Sequence, residues 1–65
     1  MKFNYEKVRI LRLKKGMTIK NLADVLKLTT VTISNTELGY HQPTITNINK
    51  IRKYFKLEAK DFFID

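Results

Sequence analysis

Three stretches of the chain space their apolar residues as helices do. Residues 5–16, "YEKVRILRLKKG", are helix formers throughout. They put Val8, Leu11 and Lys15 on one face, and Gly16 supplies a stop. Ile10 and Leu13 lie off that stripe, so this helix is greasier than one buried face needs. Residues 17–27, "MTIKNLADVLK", follow with Thr18 as N-cap and Ile19, Leu22, Ala23 and Leu26 at i, i+3, i+4 and i+7. In residues 43–55, "PTITNINKIRKYF", Pro43 closes a loop, Thr44 can cap, and Ile45, Ile48, Ile51 and Phe55 form the stripe. Residues 57–65, "LEAKDFFID", read as a last turn or short helix bearing Phe62, Phe63 and Ile64.

Residues 29–37, "TTVTISNTE", break the pattern. Threonine and valine are poor helix formers and good strand formers, and Val31 and Ile33 alternate with threonines. A strand, however, needs partners for its backbone, and no other segment looks extended. The stretch is therefore expected as a short helix capped by Thr29, with Ile33 inward and packing overriding propensity. The fold class expected is all-α, a compact five-helix array in one domain over residues 1–65.

Charge alters the picture. The 65 residues carry a net +7, unevenly placed. Residues 1–27 hold eight Lys/Arg against Glu6 and Asp24, and residues 50–57 hold Lys50, Arg52, Lys53 and Lys56 with no acid. Residues 28–49 between them contain no lysine or arginine. Such a surplus favours a polyanion as partner, although basic character alone is common among small soluble proteins. Cysteine is absent and His41 is the single histidine, so neither a disulfide framework nor a metal site is expected, and no cofactor. No apolar run nears the roughly 20 residues of a membrane span, and the first residues lack a signal-peptide core, so a cytoplasmic location is expected.

The segment "MTIKNLADVLKLTTVTISNTELGYHQP" carries more than amphipathicity. It resembles the helix-turn-helix of the Cro/phage-repressor family (lambda-repressor-like), whose pattern is T-Q-x-x-L-A-x-x-x-G-V-S-x-x-x-I-S-x-x-E-x-G-x-x-x-P. Thr18, Leu22, Ala23, Thr29 (for Ser), Ile33, Ser34, Glu37, Gly39 and Pro43 match in register without a gap. The helix-turn-helix would span about residues 18–37. The resemblance implies a five-helix DNA-binding fold over nearly the whole chain, and an ion pair between Arg12 and Glu37. It also implies a second helix laid in the major groove of double-stranded DNA, over residues 30–37.

That placement accounts for the nearly uncharged middle. Base edges are read by amides, hydroxyls and methyls rather than by charge. Thr30, Val31, Thr32 and Asn35 are the expected base contacts; Asn35 suits an adenine edge and the methyls suit thymine. Thr18, Lys20, Lys27, Thr29, Tyr40 and His41 are the expected phosphate contacts, while Lys50, Arg52, Lys53 and Lys56 read as the wet face of their helix. Paired half-sites call for a homodimer, for which Ile10, Leu13, Phe63 and Ile64 are candidate interface residues; Phe62 reads as core.

Three residues depart from the family pattern. Ile19 stands in place of glutamine, losing a phosphate and bracing contact. Lys27 stands in place of glycine, where a positive φ would be strained. Thr36 stands in place of a large apolar residue, which should loosen the core under its helix. The function expected is a sequence-specific transcriptional regulator, a small repressor of phage, mobile-element or bacterial origin. The alternative is a protein-binding adaptor or antirepressor on the same fold, with Ile19 and Val31 as a docking patch. No phosphate-binding glycine loop, cysteine nucleophile or paired histidine points to an enzyme.

Overall fold

The computed structural model describes residues 2–64. Met1 and Asp65, the ends of the expected domain, lie outside the described residues. Among the described residues there are four α-helices: α1 (Tyr5–Lys14), α2 (Ile19–Leu26), α3 (Thr30–Leu38) and α4 (Ile45–Phe55). The fifth expected helix is instead a single 3-10 turn, Ala59–Phe62, leading into a two-residue strand. That strand, Phe63–Ile64 (β2), pairs antiparallel with Lys2–Phe3 (β1), joining Lys2 to Ile64 and Phe3 to Phe63. The expectation that nothing in the chain is extended is thus corrected. Phe62 and Phe63 explain why: the Phe3 ring stacks on Phe62 at 6.1 Å and meets Phe63 edge-on at 5.7 Å. Continuing the helix would carry one of the two phenylalanines away from Phe3, and aromatic pairs favour such offset and edge contacts.

The core forms where the helices converge. Phe3, Val8, Leu22, Ala23, Leu26, Ile33, Ile48, Ile51 and Phe62 are buried in one cluster. Ala23 lets α2 and α3 approach closely, and Leu11, Ile19, Leu28 and Phe55 close the cluster's rim. Ile45 does not join it: at 72% exposure it departs from the expected stripe. It is the first residue of α4, and side chains there tilt back towards the N-terminus, beyond the contact with α2. Ile10 and Leu13, off the stripe of α1, are about half exposed.

Short helices need well-made ends, because most of their backbone groups are end groups. Thr18, Thr29 and Thr44 each cap a helix by accepting a hydrogen bond from the backbone N–H three residues on, at 3.0, 3.1 and 3.2 Å. Asn21 reciprocates with Oδ1 on the Thr18 N–H, completing a capping box. The four C-termini close alike. Gly16, Lys27, Gly39 and Lys56 are left-handed, and the N–H of Met17, Leu28, Tyr40 or Leu57 reaches the carbonyl five residues back. This Schellman closure is natural for glycine and strained for lysine.

At Gly39 the requirement is double. Its φ is +77°, and an added Cβ would lie 2.9 Å from the Tyr5 ring. Lys56, at φ 59°, has no such reason to stay as it is. Lys56→Gly should therefore raise stability by about 1 kcal/mol, the strain relieved exceeding the added freedom of the unfolded chain. Thermal unfolding followed by circular dichroism should show the midpoint rising by roughly 4–8 °C; an unchanged or lower midpoint would contradict the strain.

Candidate nucleic-acid interface

α3 has little apolar seating. Ile33 is its only fully buried apolar side chain, accompanied by Thr36 and Glu37. Polar contacts hold the remainder. Arg12 Nε donates to Glu37 Oε2 at 2.7 Å and Arg12 Nη2 donates to Glu37 Oε1 at 3.0 Å, a bidentate pair with both side chains buried. Arg12 Nη1 donates to the Met17 carbonyl at 2.8 Å, so one guanidinium ties α1 to the end of α3 and to the loop before α2. The hydrogen bond to Glu37 holds the Arg12 guanidinium above its ordinary pKa, against the opposing effect of burial and with help from the carboxylate's charge. A raised basic pKa adds stability that is present in full below the unfolded value and lost only as pH rises through the folded one. For arginine that leaves the contribution intact through neutral and acid conditions as far as Arg12 itself is concerned.

Thr36 leaves the apolar seating under α3 to Ile33, as its polar side chain leads one to expect. It is buried, and its hydroxyl donates to the Thr32 carbonyl at 2.9 Å, so the polar group enters the interior satisfied. Lys27 adopts φ 57°, the left-handed shape a glycine would take freely, so the turn between α2 and α3 closes at the cost of strain. Ile19 is half-buried against the core edge, replacing a polar brace with packing.

With its inner side fixed, α3 turns an uncharged side outward. Thr30 and Val31 are exposed, Val31 by 65%, and Thr32 and Asn35 are half-exposed. The Thr32 hydroxyl lies 2.8 Å from that of Thr29, so part of its hydrogen-bonding capacity is used within the cap. Thr18, Lys20, Lys27, Thr29, Tyr40 and His41 are all exposed. Among the described residues the ion pairs are Arg12–Glu37 and the exposed Lys60–Glu58, so neither Lys20 nor Lys27 is tied up in one. Of the wet-face cations of α4, Lys53 and Lys56 are exposed, whereas Lys50 and Arg52 are half-buried and Arg52 Nε donates to Asn49 Oδ1 at 2.8 Å. Phe63 is half-buried and Ile64 exposed, on the small sheet.

A shallow polar groove beside α3 brings Thr32, Asn35 and His41 together with Gln42, Thr44 and Asn47. The last three were not legible as site residues. Thr44 and Asn47 signal only the cap of α4, and nothing in the spacing reveals that this cap opens beside Asn35. No helix among the described residues is long and apolar enough to cross a membrane, and no cluster of His, Cys, Asp or Glu among them could hold a metal ion.

Comparison with known proteins agrees with this geometry. No curated protein sequence matches the chain. Among solved structures, the restriction-modification controller protein C.AhdI from Aeromonas hydrophila superposes with a TM-score of 0.81 at 25% identity, over 91% of this chain and 89% of that one.

Removing one partner of the buried pair would strand the other charge. Glu37→Ala should lower stability by about 3–5 kcal/mol, with Arg12→Ala similar, and denaturant titration would read the loss. A loss below about 1 kcal/mol would mean that the pair behaves as a solvated one.

The sequence profile of the helix-turn-helix family of Cro/C1 type matches residues 8–62, so the chain belongs to that family, one of DNA-binding transcription regulators and not of enzymes.

Proposed function

We propose that the chain is a sequence-specific regulator, a small repressor of phage, mobile-element or bacterial origin acting in the cytoplasm as a single domain. It lays α3 in the major groove of double-stranded DNA. The observation that carries this reading is the outward side of α3. It is free of charge and open to solvent, it is tied from behind by Arg12–Glu37, and it is flanked by the exposed cations Lys20 and Lys27, neither of them in an ion pair. Likeness to a restriction-modification controller supports a controlling role.

On this reading Thr30, Val31, Thr32 and Asn35 meet base edges. Asn35 suits the donor–acceptor pair of adenine, and Val31 with the threonine methyls suits thymine, favouring an A·T-rich half-site. Thr32 contributes through its methyl and through the hydrogen-bonding capacity its hydroxyl keeps beside the contact with Thr29. Lys20, Lys27, Thr18, Thr29, Tyr40 and His41 hold phosphates and supply the salt-dependent affinity. One helix reads few bases, so two copies on paired half-sites about 34 Å apart would multiply selectivity. Ile10, Leu13, Phe63 and Ile64 are the apolar residues available to join them.

Fluorescence anisotropy against duplexes drawn from a random-site selection tests the reading. Asn35→Ala should remove roughly 1–3 kcal/mol of discrimination at one base position and leave non-specific affinity nearly unchanged. Lys20→Ala should weaken all sequences alike and reduce the slope of log affinity against log salt by about 0.9. Binding that is absent, or indifferent to salt, would remove DNA as the ligand and favour the adaptor alternative.

A further inference from the structure

The C-terminal ends of α1 and α4 meet, and cations gather where they do. Lys15, the residue that closes α1, holds its ammonium 5.2 Å from the centre of the Tyr54 ring and 5.9 Å from that of Phe55, at the end of α4. Lys14 adjoins it, and Lys53 and Lys56 flank the two aromatic residues in sequence; all four lysines are exposed. None of them forms an ion pair among the described residues. The acids that follow Lys56 are engaged elsewhere. Glu58 pairs with Lys60 at 3.3 Å, and Asp61 Oδ2 accepts from the Glu58 N–H at 2.9 Å.

We propose that this edge is a second DNA-binding surface, which takes the phosphates of duplex flanking the site read by α3. Lysines at the end of a helix can serve simply to offset its dipole. That use is not required here, because α3 closes with no basic residue in its last turn and glycine at its cap. Backbone shape does not account for Lys56 either. Lys27 and Lys56 are the non-glycine residues of positive φ among the described residues, and both are lysines. The Lys56 side chain is exposed, and glycine in its place would be free of strain. Strain of this kind points to a use beyond folding, and Lys27 already belongs to the proposed phosphate contacts. By the same reasoning the Lys56 ammonium has an anion to meet.

The edge is continuous with the contacts already assigned. The Tyr54 hydroxyl lies 3.6 Å from Met17 Sδ, and Met17 precedes Thr18, the cap of α2. A phosphate backbone resting on Thr18 and Lys20 therefore meets Lys15 and the end of α4 next. Lys15 is held over two rings, so it has less freedom to lose when a phosphate arrives. The molecule is 29 Å along its longest axis. The phosphates concerned thus lie within about one duplex turn, roughly 34 Å, of the site. The inference rests on the reading that α3 binds DNA, and the experiment separates the failure of one from the failure of the other.

Fluorescence anisotropy compares two duplexes, one ending at the selected site and one carrying about ten further base pairs of unrelated sequence on each side. The longer duplex should bind on the order of tenfold tighter in low salt. Its slope of log affinity against log salt should be steeper by about 2, as two further phosphate contacts require. Lys53→Gln and Lys56→Gly should each remove about 0.9 of that difference and leave the short duplex bound as before. Added non-specific sites strengthen variants and wild type alike, so the part lost on substitution is the measure. Lys56→Gly is the sharper probe: the same change should raise the thermal midpoint, so a loss of fold cannot explain a loss of affinity. Equal affinity for the two duplexes, or a flank effect that survives both substitutions, would overturn the surface. Capture of a second, unrelated duplex without any gain from the attached flank would also overturn it, by assigning the edge to a separate polyanion. Short-duplex binding that still depends on Asn35, with no flank effect, sinks this surface and leaves the reading helix standing. Absence of binding to either duplex removes both.

Discussion

The arrangement depends most on one guanidinium. Arg12 is buried, donates twice to Glu37 and once to the Met17 carbonyl, and so fixes three segments at a point. A buried ion pair is a poor source of net stability, because desolvating both charges offsets much of their attraction. Its geometric demand is stricter than that of an apolar contact. Bidentate bonds tolerate little rotation, whereas Ile33 alone would let α3 roll about its axis. With so few apolar groups beneath α3, the direction in which Asn35 and Thr30 point is set largely by this pair and by the Thr36 hydroxyl on the Thr32 carbonyl.

The helix ends are the second constraint. Isolated helices shorter than roughly 12–15 residues are marginal in water, and α2 and α3 have eight and nine. Their persistence follows from ends closed on both sides by the chain itself, with threonine hydroxyls in front and left-handed residues behind. Where glycine provides the left-handed turn, as at Gly39, it also leaves room for Tyr5. Lysine at 27 and 56 accepts strain for the same closure, and a cation at a helix C-terminus regains part of it from the helix dipole.

Much of this was legible in the chain. Thr18 and Thr44 stand as caps because each precedes an apolar stripe, whereas Thr29 follows as a cap only from the helical state of α3, which rested on the lack of a partner strand rather than on its own residues. Local sequence pattern is silent where the determining contact lies far away in sequence. Two-residue strands carry no periodicity, so only the meeting of Phe3 with Phe62 and Phe63 reveals them. Ile45 looks like a core residue until the start of α4 is fixed. Thr36 looks like a defect until its hydroxyl finds a carbonyl one turn back. At the candidate site the residues of α3 could be named from spacing, but the groove shared with Gln42, Thr44 and Asn47 depends on how α4 enters, which no local pattern encodes.

An uncharged reading surface on a chain of net +7 is a coherent division of labour on the proposed reading. A lysine or arginine on the outer side of α3 could swing to the phosphates of any sequence and would add affinity without choice. Hydroxyl and amide groups cannot do this so cheaply. Each gains only about 0.5–1.5 kcal/mol from a good hydrogen bond but loses about 1–3 kcal/mol when buried against a base edge that does not match. The penalty for the wrong base then exceeds the reward for the right one. Selectivity of that kind requires that the helix cannot turn aside to avoid the mismatch, which is the condition that the buried Arg12–Glu37 pair imposes from the opposite side.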